Sequence, residues 1–276
     1  MRSLDPMTFF HQTRISRIIR KVPIVKKLAE RWWHRRQSKV FNESFRRFRK
    51  LESKAGVTDS SREIPNRQDV RDGASLIAAG TEFSDKIMQW STSSKFHSSG
   101  YQDVYAVILN HLKGEGARVL EIGIGVNDPR SASGMDKDHI PGGSLYAWKM
   151  YLNAAEVHGA DIDERVLTDT DMYLTHHVDQ RNRDSLVGLA DRIDGELDLV
   201  IDDGLHTPQA NALTACAFLP RISDRGVLVI EDILPEFNEL WEALEKSFSG
   251  DFLMRFFPGA DLRSGRPEGI AIFWRV

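Results

Sequence analysis

The sequence predicts an α/β protein: a doubly wound sheet of seven strands, mostly parallel with an antiparallel last strand, preceded by an N-terminal helical arm. Three observations carry this. From residue 117 onward, short apolar runs alternate with segments of helical spacing, the pattern of parallel strands joined by crossover helices. The first five runs all end in polar or acidic residues, as strands do when their carboxyl ends line a ligand crevice. The last two runs are joined by a loop carrying Pro258, Gly259, Gly265 and Pro267, with no room for a helical crossover, so that pair is antiparallel.

The elements follow in order. Residues 1–54 form a basic amphipathic arm: Ile15, Ile18, Ile19, Val22 and Val25 recur at helical spacing between Arg14, Arg17, Arg20, Lys21, Lys26 and Lys27. Pro23 interrupts its first helix, and Trp32, Trp33, Phe41, Phe45 and Phe48 continue the apolar stripe. Residues 55–73, with Gly56, Ser60, Ser61, Pro65 and Gly73, form a linker. Residues 74–116 are a helical cap segment broken by a serine-rich stretch at 91–100. Residues 117–276 are the main domain. Its strands are predicted at 118–122, 156–161, 173–178, 197–202, 226–231, 252–257 and 269–275, and its helices near 143–153, 183–192, 208–219 and 236–247.

Composition removes several classes. The 276 residues are 41% hydrophobic, enough for a sizeable core. The single cysteine, Cys216, excludes an intrachain disulfide and a multi-cysteine zinc site, and predicts a reducing, cytoplasmic setting. No apolar run approaches the ~20 residues that span a bilayer, and the arginines of the arm interrupt every stretch that resembles a secretory signal. The net charge of −3 hides a split: residues 1–54 carry 16 Lys and Arg against 4 Asp and Glu, and the remaining 222 carry 21 against 36. A basic arm joined to an acidic body needs its own explanation.

Chemistry is expected beyond the strand ends. The first strand runs into Glu121-Ile-Gly123-Ile-Gly125, where glycines permit a sharp turn and close approach to a ligand. A dinucleotide fingerprint needs a third glycine where Asp128 stands and an acid about 20 residues further on; the next strand-terminal acid, Asp161, lies 36 residues after Gly125, which demotes a nicotinamide cofactor. Later ends read Gly159-Ala-Asp161-Ile-Asp163, Val178-Asp179-Gln180, Ile201-Asp202-Asp203-Gly204-Leu205-His206 and Ile230-Glu231-Asp232. Any one of these acids alone suits a helix N-cap; the series across five strands points to a site. His176 and His177 are expected to be structural, facing opposite sides of their strand. Cys216 is expected to be a small buried residue, and Tyr105 to pack in the core. His97 and Tyr101 precede the sheet and are candidates to close over a bound ligand.

These motifs together resemble a class I S-adenosylmethionine (SAM)-dependent methyltransferase with a Rossmann-like fold, most closely the metal-dependent sugar O-methyltransferases of the mycinamicin and macrocin type, over residues 97–276. The resemblance implies that Glu121, Gly123 and Gly125 surround the methionine part of SAM, that Asp161 holds the ribose and that Asp179 faces the adenine. It further implies that Asp203, Glu231 and Asp232 bind a divalent cation such as Mg²⁺, and that His206 is the general base. Asp202 serves the cofactor, the metal or only the turn; spacing to His206 favours Asp203 as the metal ligand. The acceptor implied is a sugar hydroxyl of a glycan, glycolipid or glycosylated natural product. The chain departs from the pattern at 126–141, which intervenes before Gly142-Gly-Ser-Leu145 as a substrate lid or a surface insertion.

Carboxylates without thiols suit a hard cation, which can orient a sugar hydroxyl and favour its alkoxide; an imidazole beside it can take the proton near neutral pH. Other classes remain for the same fold: a non-catalytic SAM- or nucleotide-binding regulator, or an NAD-dependent oxidoreductase. The arm has three readings: packing on the body or on a second copy in a homo-oligomer, an anionic membrane surface that would place the protein peripherally at the inner membrane, or nucleic acid. The last finds no support in the body, which lacks the Asn-Pro-Pro-Tyr and Pro-Cys motifs of nucleic-acid base methylation.

Overall fold

The computed structural model describes residues 31–46, 73–91, 93–96, 99–114, 116–128, 140–248, 250–259, 262 and 266–275. Most of the predicted arm, the predicted linker, His97 and most of the 126–141 loop lie outside these residues. The strands are β1 (Arg118–Ile122), β2 (Glu156–Asp161), β3 (Leu174–His177), β4 (Leu197–Asp202), β5 (Ile222–Ile233), β6 (Phe252–Phe257) and β7 (Gly269–Arg275). The helices are α1 (residues 31–46), α2 (Gly73–Ile87), α3 (Tyr101–Ile108), α4 (Gly143–Leu152), α5 (Arg183–Arg192), α6 (Pro208–Phe218) and α7 (Asn238–Ser247).

The strands form one sheet in the order β3-β2-β1-β4-β5-β7-β6. Neighbours from β3 through β5 are parallel, and β7 runs antiparallel to both β5 and β6. The predicted class, with its reversed last strand, is therefore the observed one. β5 starts four residues earlier than the apolar pattern indicates. Its polar opening is held by Asp198 of β4, which accepts from Ser223 Oγ at 2.7 Å and Arg225 Nε at 2.9 Å.

Strand side chains alternate between two cores. On one face Leu120, Ile122, Val200, Leu228 and Ile230 pack with Leu186 and Leu189 of α5, Ala215 and Phe218 of α6 and Trp241 of α7. On the other, Val119, Leu199, Ile201 and Val229 meet Phe83 and Ile87 of α2, Tyr105 of α3 and Trp148 of α4. The helices start where the chain tells them to. Thr207 caps α6 by accepting from Ala210 N, with Pro208 in its first turn, and Asn182 caps α5 through Asp184 N.

Helix α1 joins the first core. Its Phe41 ring lies 4.9 Å from Trp241, and Phe45 stacks on Phe273 of β7 at 6.1 Å between ring centres. Gln37 Oε1 accepts from Gln209 N of α6 at 3.0 Å. The opposite side of α1 carries exposed Arg31, Trp32, Arg35, Arg36, Lys39 and Arg46. No described helix is long and apolar enough to cross a membrane.

Candidate active site at the β1/β4 switch point

The chain leaves β1 toward β2 on one side and leaves β4 toward β5 on the other, so strand order reverses between β1 and β4. A crevice opens beyond the carboxyl ends at such a point. The two ends are tightly joined: Asp203 N donates to Ile122 O at 2.8 Å. A Cβ at Gly123 would lie 2.0 Å from the Asp203 carbonyl oxygen, and Gly123 has φ of +100°, so no other residue fits. Gly125 also has positive φ. Asp161 fastens the loop to β2: its Oδ2 accepts from Ile124 N at 2.9 Å and Gly125 N at 3.2 Å, and its Oδ1 accepts from Asp163 N.

Beyond β3, Asp179 accepts from Arg181, whose guanidinium and backbone N–H lie about its carboxylate and hold its pKa down against the opposing effect of burial. Asp202 is wholly buried. Its Oδ1 accepts from Gln180 Nε2 at 2.6 Å and its Oδ2 from Asn211 Nδ2 at 3.2 Å. Gln180 also accepts from Leu205 N at 2.7 Å, so Asp202 and Gln180 together set the path of the loop that carries His206.

Asp203, His206 and Asp232 come together at the rim, half-buried, each with a ligand atom within 4.8 Å of the others. His206 Nε2 is 3.9 Å from Asp232 Oδ2, and His206 Nδ1 is buried with no hydrogen-bond partner among the described residues. His206 and Asp232 both hold positive φ, 52° and 51°. Such backbone costs of order 1–3 kcal/mol per residue and concentrates at functional sites. Tyr101 pins Asp232 twice: its hydroxyl donates to Oδ1 at 2.8 Å and accepts from the Asp232 N–H at 3.1 Å. Burial first, and then the Asp232 and Glu231 carboxylates, push the Tyr101 phenol far up and keep it protonated.

Behind this rim lies a second group. Lys95, only 5% exposed, reaches Glu121 Oε1 at 2.5 Å, Asp203 Oδ2 at 3.0 Å and Glu231 Oε2 at 3.3 Å. Trp148 Nε1 donates to the other Glu121 oxygen at 2.9 Å, and the Tyr105 hydroxyl donates to Glu231. Burial alone would lower the Lys95 pKa, but Asp203, Glu121 and Glu231 outweigh it and hold it well above the ordinary value. Glu231 is pushed up by the same burial, with Lys95 opposing. Asp203 moves up as well, for the same reason and against Lys95 and His206.

Of the residues singled out in the sequence, the fold thus gathers Asp203, His206 and Asp232, and sets Gly123, Gly125 and Asp161 beside them across the switch point. Glu231 meets Lys95, which also touches Asp203, and Tyr105, and Glu121 and Asp202 have internal partners. Lys95, Trp148 and the Tyr101–Asp232 contact escaped the sequence reading. Lysine and tyrosine carry no periodic signal, and a lysine in a serine-rich stretch is by default exposed. His176 does sit beside a partner, His158 Nδ1 at 2.9 Å, and Cys216 is half-buried.

No family model matches the chain. It is 32% identical over 187 residues to the 8-demethyl-8-alpha-L-rhamnosyl tetracenomycin-C 2'-O-methyltransferase of Streptomyces olivaceus, covering 63% of this chain and 46% of that one. It is 34% identical over 139 residues to the demethylmacrocin O-methyltransferase of Streptomyces fradiae, covering 50% and 31%. The chain therefore spans less than half the length of these relatives. Among solved structures, MycE, a methyltransferase from the mycinamycin biosynthetic pathway solved with Mg and SAH, shares the fold with a TM-score of 0.51 at 19% identity, over 80% of this chain and 66% of that one. The resemblance seen in the strand-end motifs thus reappears in sequence similarity to sugar O-methyltransferases over 63% and 50% of this chain, and in a methyltransferase fold.

Proposed function

We propose that the protein is a SAM-dependent, divalent-cation-assisted O-methyltransferase that acts on a sugar hydroxyl of a glycosylated small molecule. The observation that carries this reading is the Asp203–His206–Asp232 trio at the switch point. Two half-buried carboxylates without thiolates fit a hard divalent cation such as Mg²⁺, with the imidazole beside them free to act as a base. Bound there, the cation supplies positive charge that favours ionisation of a chelated sugar hydroxyl.

The chain's own residues do the rest. Asp203 and Asp232 hold the cation, and Tyr101 keeps Asp232 turned toward it. The loop with Gly123 and Gly125 receives the methionine part of SAM, Asp161 the ribose and Asp179 the adenine; Ile162 and Leu205, both exposed apolar residues at strand ends, offer flat walls. The acceptor oxygen attacks the methyl carbon of SAM as the carbon–sulfur bond breaks, leaving S-adenosylhomocysteine, and the hydroxyl proton passes to His206. Incubation with SAM and a rhamnosylated acceptor should give a product one methyl group heavier. EDTA should stop the reaction and Mg²⁺ restore it; full turnover in chelator would sink the cation's role. A melting temperature raised by NAD and not by SAM or S-adenosylhomocysteine would favour oxidoreduction instead.

The exposed face of α1 supports one addition: attachment to an anionic membrane through Arg31, Arg35, Arg36, Lys39 and Arg46 around Trp32. Sedimentation with phosphatidylserine vesicles should be lost when these five cations become glutamine. Equal sedimentation of both proteins would reject it.

A further inference from the structure

The loop that carries His206 is held on both sides, and one of its anchors comes from far away in the chain. Before His206, Leu205 N donates to Gln180 Oε1 at 2.7 Å. After it, Thr207 caps α6: its Oγ1 accepts from Ala210 N at 3.4 Å and its carbonyl from Asn211 N at 2.9 Å. Pro208 has no N–H, so the donor left over in the first turn is Gln209 N. It donates to Gln37 Oε1 of α1 at 3.0 Å, 172 residues upstream. Gln37 is 2% exposed, so this oxygen is a helix cap supplied from inside another packing contact. On the same face of α1, His34 meets Phe237 edge-on at 5.2 Å, in the turn Pro235–Phe237 that follows Asp232. Helix α1 thus touches both the segment beyond β4 and the segment beyond β5, the two that bear His206 and Asp232.

We propose that Gln37 is a positioning residue for methyl transfer: by capping α6 from α1 it fixes the loop that holds His206 opposite Asp232. The proposal rests on the methyltransferase reading above and deepens it. His206 has φ of 52°, a conformation that persists only where its surroundings over-determine it. Gln180 secures the residue before it, and the start of α6 secures the residue after it. Without an acceptor for Gln209 N, the first turn of α6 frays, and Thr207 and His206 move with it. A misplacement of ~1 Å can cost about a hundredfold in rate. SAM, received from β1 and β2, stays in place. Helix α1 lies outside residues 97–276, over which the strand-end motifs resemble their family, so this brace is an addition to the catalytic motifs rather than one of them.

The test compares Gln37→Met, which keeps the length of the side chain and removes the oxygen, with Gln37→Glu, which keeps an oxygen at the same reach. In amide hydrogen exchange of the full chain, residues 205–211 should exchange about tenfold faster in Gln37→Met, with Arg118–Ile122 of β1 unchanged. For transfer from SAM to a rhamnosylated acceptor, kcat should fall by about tenfold or more while the KM for SAM stays within about threefold. Gln37→Glu should bring exchange and kcat back to within about threefold of wild type. Gln37→Asn, which draws the amide back by one methylene, should behave as Gln37→Met does, and decides the matter if the methionine variant does not fold. The role is overturned if exchange and kcat in Gln37→Met and Gln37→Asn match wild type. It is also overturned if Gln37→Glu turns over as slowly as Gln37→Met, or if exchange rises equally across the sheet, which would make Gln37 part of the general packing of α1. A wild-type protein that transfers no methyl group defeats the methyltransferase reading and this role with it. An active wild type with an unchanged Gln37→Met defeats the role alone.

Discussion

Two acidic doublets end neighbouring strands, Asp202-Asp203 on β4 and Glu231-Asp232 on β5, and each splits the same way. The first member is buried and fully engaged: Asp202 by Gln180 and Asn211, Glu231 by Tyr105 and Lys95. The second member turns to the rim, where His206 joins it. Successive strand residues face opposite sides, so the sequence pair Asp-Asp or Glu-Asp is one buried acid followed by one half-buried acid at the rim. Rim and interior are thus built from the same residue type, and environment rather than identity separates chemistry from architecture.

Substitutions can break that contrast. At the rim, His206→Ala should cost about a thousandfold in methyl transfer while SAM binding and the melting temperature hold. Turnover near wild type would remove His206 as base. In the interior, Asp202→Ala strands the donors of Gln180 and Asn211, and should cost about 3 kcal/mol of stability. A denaturant midpoint matching wild type would place Asp202 among dispensable residues. Tyr101→Phe lies between the two: the Asp232 carboxylate loses a donated hydrogen bond and its N–H loses an acceptor, together worth about 2 kcal/mol, so activity should drop by roughly thirtyfold with little change in folding. A larger loss of stability than of activity would make Tyr101 an interior residue after all.

The smallest effect sharpens the contrast from outside both regions. His158 and His176 share a contact on β2 and β3, near Glu156, Arg118, Asp169 and Arg192, and burial lowers both of their pKa values. The folded state therefore keeps them neutral where the unfolded chain, with an ordinary histidine pKa near ~6.5, takes up protons. Stability should be unaffected above that pH and fall as the pH drops through and below it. His176→Gln should flatten this slope in melting curves recorded between pH 5 and 8, a window set by the same pKa values; an unchanged slope would assign the acid sensitivity to other groups.

Much of this was legible in the chain. Buried parallel strands are apolar on both faces, so β1, β2 and β4 stand out as runs, and their bounds read from sequence coincide with those observed. The strand-end acids were visible because a ligand edge gathers polar groups. Their split into a buried and a rim member was not, since it depends on what lies above and below each strand. Tyr105 shows the limit clearly. It packs in the core as its surroundings suggested, yet its hydroxyl also engages Glu231, 126 residues away. Lys95 was hidden for the same reason: three carboxylates from three strand ends converge on it only after the sheet is assembled. Similarly, the polar start of β5 falls outside the predicted strand because its partner Asp198 belongs to another strand.

The position of β7 has a consequence for how the site comes into being. β7 lies between β5 and β6, so the strand bearing Glu231 and Asp232 completes its hydrogen bonding only with residues 269–275. Synthesis runs from the amino end, and domains assemble as the chain emerges. The half of the sheet from β3 through β4 can therefore gather while the outer edge of β5 is still bare, an unpaired edge of the kind that invites association with other chains. Arrival of β7 covers that edge and supplies Phe273 as a seat for Phe45 of α1. One late strand thereby couples protection from aggregation, docking of helix α1 and completion of the acidic rim into a single assembly step.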